Sequence, residues 1–218
     1  MSDIFQEVDE EVRRDKALEF WKKHQNLIIA GAALIVLATG GYRLYENRKI
    51  AAEQAAGAAF QQALALDRAG KGADAQTALA ALAANAPHGY QSLARLAGAA
   101  VQSKTDQAGA LAVYDALGAD RSIGSHFQDA AKLRAALLRL DQGDVAAAKP
   151  ALEALAAPTG AYRFTARLAL GVIAIDASDY AEAGKQLDLI VADPEAPAAE
   201  KRSAEALFGL VAANRPAK

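Results

Sequence analysis

The chain has 218 residues, 24 of them basic and 26 acidic, a formal charge of −2 and no cysteine. The missing cysteines exclude a disulfide framework, thiol catalysis and cysteine-ligated zinc, and the near-balanced charge offers no basic surplus for nucleic acid. At 53 % hydrophobic and 23 % charged residues the composition is globular, not disordered, and the length admits one anchor and one domain of ordinary size.

Residues 1–20 read as a short charged tail. Ile4, Phe5, Val8 and Val12 recur at helical spacing. Asp9 with Arg13 and Glu10 with Arg14 form i,i+4 pairs in the stabilising order. The segment is either a docking helix for a partner or the membrane surface, or a solvated helix leading into the apolar run after it.

Leu27 to Tyr42 is an apolar run without a charge. A membrane-crossing helix needs roughly 20 mostly apolar residues, with about 17 as the lower limit, so the flanks must contribute. Trp21, Tyr42 and Tyr45 suit the headgroup level, and Lys22, Lys23 and Arg43 can extend their charged ends to water along apolar stems. The expectation is one membrane-spanning helix over residues 21–45. A soluble core helix would show a polar face, and this run has none. Ala38-Thr39-Gly40 offers small residues for signal cleavage, but the acidic segment ahead of the run is unlike a short basic n-region. Arg13, Arg14, Lys16, Lys22 and Lys23 precede the run and Arg43, Arg48 and Lys49 come after it. That excess predicts a cytoplasmic N-terminus and a domain on the far side.

From Glu46 to Ala69 nothing interrupts the helical pattern, so the span is expected to run into the first helix of a domain over residues 46–218. Alanine, the best helix former, crowds this domain, and the fold class is all-α. Paired helical segments come next, punctuated by Gly70-Lys71-Gly72, Asn85 to Gly89, Ser103 to Asp106, Gly118 to Asp120, Gln142 to Asp144, Pro158 to Gly160, Ala177 to Asp179 and Asp193-Pro194. Asp106, Asp144 and Asp179 are placed to cap the helices after them. Ala75, Ala110, Ala148 and Ala183 recur at intervals of 35, 38 and 35 residues. Leu79, Tyr114, Leu152 and Leu187 stand one turn later, then Leu82, Leu117, Leu155 and Ile190.

A two-helix unit with a period near 34 resembles tetratricopeptide repeats. One such pair cannot bury its apolar stripe alone, so neighbours stack into a solenoid. The last unit matches best, with Leu170-Gly171, Asp179-Tyr180, Ala183, Leu187 and Asp193-Pro194. The early aromatic of the consensus is replaced by Ala94, Lys132 and Arg167, and the tyrosine after the turn by Gln107 and Val145. Four pairs are expected, closed by a capping helix over residues 197–213 whose apolar face is Ala204, Leu207, Phe208 and Val211.

No chemistry stands out. His24, His88 and His126 share no face and have no carboxylate at ligand spacing, and Gly70-Lys71-Gly72 lacks the frame of a phosphate loop. No catalytic, metal or cofactor site is expected, and the protein reads as a non-enzyme. In tetratricopeptide arrays the first helices line the concave face, which implies Phe60, Leu64, Arg95, Leu133, Leu137, Leu168, Val172 and Ile175 as a candidate binding surface. This set lacks the Lys/Arg and Asn residues of the family's carboxylate-clamp members. It points to apolar or unfolded segments as partners; the other reading is that these side chains are packed by the next repeat or the terminal helix.

Charged tail, Phe20-Trp21, the Gly/Ala-rich run closing on Gly41-Tyr42-Arg43-Leu44-Tyr45 and the Ala- and Gln-rich helix after it together resemble the ancillary subunit of the bacterial Sec translocon. That resemblance implies an inner-membrane protein with a periplasmic repeat domain. Its implied partners are Sec translocon subunits, a membrane-anchored periplasmic peptidyl-prolyl isomerase, unfolded or secreted polypeptides and the lipid bilayer, with no nucleic acid and no cofactor. Two other readings stay open: a tetratricopeptide scaffold for cell-envelope or division assembly, and a cleaved soluble periplasmic binding module.

Overall fold

The computed structural model describes residues 3–214. Side chains ahead of Arg13 and that of Ile28 lie outside the described residues, and with them the stripe of Ile4, Phe5, Val8 and Val12 and its ion pairs. The described residues form α1 (Asp3–Arg68), α2 (Gly72–Asn85), α3 (His88–Gln102), α4 (Gln107–Ala119), α5 (Ser125–Asp141), α6 (Val145–Leu155), α7 (Arg163–Asp176), α8 (Tyr180–Val191) and α9 (Ala198–Asn214). No strand occurs among them.

The chain divides into two units, Met1–Gln54 and Ala55–Lys218. In the first, α1 is bent by 44° between Arg13–Leu27 and Ile29–Arg68. No single helix among the described residues is long and apolar enough to cross a membrane; the two arms reach that length and hydropathy only when taken together. Residues 21–45, expected as one spanning helix, are helical throughout and carry this bend. Leu34, Ile35, Val36 and Leu37 are 65–76 % exposed. Four consecutive residues cover every side of a helix, so this stretch turns apolar surface outward all round.

In the second unit the last turns of α1 pair with α2, α3 pairs with α4, α5 with α6 and α7 with α8, and each pair packs on the next. First helices of successive units also touch, α3 on α5 and α7 on α9. The repeat register explains the core. Ala75, Ala110, Ala148 and Ala183 are all fully buried, because a methyl group is what lets two backbones cross closely. Leu79, Tyr114, Leu152 and Leu187, one turn on, are 0–3 % exposed. Gly171 serves the same close approach from the facing helix: a Cβ there would stand 3.2 Å from Cδ2 of Leu187. Leu117, Leu155 and Ile190, three residues after Tyr114, Leu152 and Leu187, are buried as well and fill the space between neighbouring helices.

The expected caps are formed. Asp106 accepts from the Gly109 N–H at 2.9 Å, Asp144 from Ala147 at 3.1 Å and Asp179 from Glu182 at 3.0 Å, each satisfying one donor of a first helical turn. The turns into two of these helices need a left-handed residue. Gly143 supplies it at φ 80°, but in the last unit Ser178 holds φ 60°. A side chain in that region costs roughly 1–2 kcal/mol, partly offset by the entropy a glycine adds to the unfolded chain. Ser178→Gly is expected to stabilise the repeat domain by about 0.5 kcal/mol, read as an upward shift of the thermal midpoint; a downward shift would refute the strain.

α9 stands as a first helix with Ala204 and Val211 buried against α8 and with Leu207 and Phe208 packed on the same cluster.

Candidate functional site

Two surfaces are candidates, one in each unit. In the first unit the expected flanking residues stand outward: Trp21 is 48 % exposed, Tyr42 65 % and Tyr45 68 %, and Lys22, Lys23 and Arg43 are exposed as well. They bracket the outward-turned apolar stretch at both ends.

In the second unit the eight residues assigned to a concave face divide. Leu133 is buried in a cluster with Leu152, Leu155 and Leu170, with Leu137 packed on it. Leu168 and Ile175 pack on the cluster that α8 and α9 share. Phe60 packs beside Ala63 and Leu79 and lies 6.4 Å from the Tyr90 ring. Arg95 is half-buried and donates to Asp120 at 3.2 Å. Leu64 is half-buried and Val172 exposed. The structure therefore gathers five of the eight into inter-repeat cores instead of one open apolar face.

The open clefts lie on the other side, between second helices. α2 and α4 flank one over a floor of α3. Its walls are Ala80, Ala83, Ala112, Val113 and Ala116 over Gly98, and it holds about 410 Å³. Gln76 and Gln102 continue it into a second cleft of about 660 Å³ beside Gly72 and Thr105. Its ionised groups are already matched, Lys104 with Asp67 at 2.6 Å and Arg95 with Asp120. The corresponding cleft between α6 and α8 holds about 150 Å³ and is charged, with Lys149, Glu153 and Glu182. Alanines wall the first, and its charged lining residue, Arg95, is already paired with Asp120, so it can hold uncharged apolar chain.

Electrostatics around these clefts are structural. The Gly109 N–H and then the Gln102 amide hold the Asp106 carboxyl below its usual range. The Ser122 hydroxyl and N–H, ahead of Arg95, do the same for Asp120. The Gln186 amide lowers Glu182, and burial pushes the Tyr114 phenol up. For Asp106 the folded value lies below the unfolded one, so its contribution is complete above the usual carboxylate range and disappears as pH falls through it. Asp106→Asn is expected to flatten the loss of thermal midpoint between about pH 5 and pH 3; equal slopes in variant and wild type would refute this linkage.

Arg167 is the residue that sequence reasoning passed over. Only 6 % exposed, it donates from Nε to the Ala156 carbonyl and from Nη1 to the Leu189 carbonyl, both at 3.2 Å. These carbonyls end α6 and α8, where backbone acceptors have no intrahelical donor and the dipole favours a cation. The signal was present: an arginine stands where the repeat consensus has an aromatic ring. Among the described residues no group of three His, Cys, Asp or Glu side chains is placed to hold a metal.

Residues 18–122 match the family model described as a tetratricopeptide repeat-like domain. No curated protein and no solved structure matches the chain. The match begins ahead of the apolar run and ends just past α4, and with it the chain is identified as carrying a tetratricopeptide-like domain, the kind of helical array that mediates protein–protein interaction.

Proposed function

We propose that this protein is a membrane-anchored scaffold whose repeat domain faces the periplasm and binds other polypeptides without catalysis. Its partners in this reading are Sec translocon subunits, a membrane-anchored periplasmic peptidyl-prolyl isomerase and emerging secreted chains. The observation that carries it is the outward apolar stretch around Leu34 to Leu37, attached without a linker to a repeat array. Water is a poor solvent for such a surface, and a bilayer covers it at no cost in unpaired backbone groups, since the helix satisfies its own. The family match spans both the apolar run and the first repeats, which supports reading anchor and array as one device. The alanine-walled cleft between α2 and α4, whose Arg95 is already paired with Asp120, suits apolar segments of unfolded chains.

Site-specific photo-crosslinking from Arg48, Glu53 and Gln54 in intact cells tests the partners. Adducts with translocon subunits and the isomerase are expected; adducts confined to envelope-synthesis proteins would replace this reading with an assembly scaffold. A tag after α9 that proves accessible from the cytosol would overturn the orientation.

A further inference from the structure

We draw no further inference here: the strongest candidate, the uncovered outer face of α9 at the end of the repeat array (Ala206, Gly209, Leu210 and Ala213), is a stripe of small side chains around one leucine, and nothing in the structure shows what covers it.

Discussion

Replacing Arg167 by methionine is expected to lower the stability of the repeat domain by about 2–3 kcal/mol, since two charge-assisted hydrogen bonds disappear and the buried desolvation cost of the guanidinium is only partly recovered. The methionine retains the stem and its packing, so the loss isolates the polar contacts. Nε reaches the end of α6 at Ala156 and Nη1 the last turn of α8 at Leu189, and one planar group therefore ties two second helices across α7. For a unit of this size the thermal midpoint would fall by roughly 4–12 °C, at about 2–4 °C per kcal/mol. Arg167→Lys should restore little, because an ammonium on a single stem cannot span two carbonyls in fixed directions. Denaturant midpoints of the three proteins measure this. A methionine variant as stable as wild type would show that the carbonyls find water and that the arginine is not a strut.

If the apolar run crosses a membrane as proposed, arginines at Leu34 and Val36 are expected to abolish membrane retention. Each exchange of an apolar residue for arginine near the centre of a span costs about 3 kcal/mol on the insertion scale, so two cost about 6 kcal/mol. That exceeds what a run of this length, at the lower limit for crossing, can hold in reserve. Extraction of membranes at alkaline pH should leave the wild type in the pellet and move the double variant to the supernatant. Intact circular dichroism of the helical domain in the released variant would show that the repeats do not need the anchor to fold. Retention of the double variant would mean that Leu34 to Leu37 do not face lipid.

Much of the repeat unit was legible residue by residue. Asp106, Asp144 and Asp179 were readable as caps because the bond is local, from a carboxylate to an N–H three residues on. The alanine and leucine positions were readable because stacking repeats impose one register on every unit, and their burial tracks the intervals of 35, 38 and 35 residues. The concave face was less legible. Leu133, Leu168 and Ile175 do stand on first helices, but an interval says only which side of its own helix a residue occupies, not whether the next repeat or α9 covers that side.

Composition, hydropathy and spacing thus settled the helical class, the paired units and the place of the apolar run, all of which depend on interactions within a turn or on a repeated local pattern. Three features awaited the folded chain. The bend of α1 falls where no proline announces it. The alanine-walled cleft exists because α2 and α4 stand apart over α3. Arg167 turned from a consensus violation into a tie between helix ends. Each depends on the distance between groups far apart along the chain, and that distance is set only when whole helices have packed.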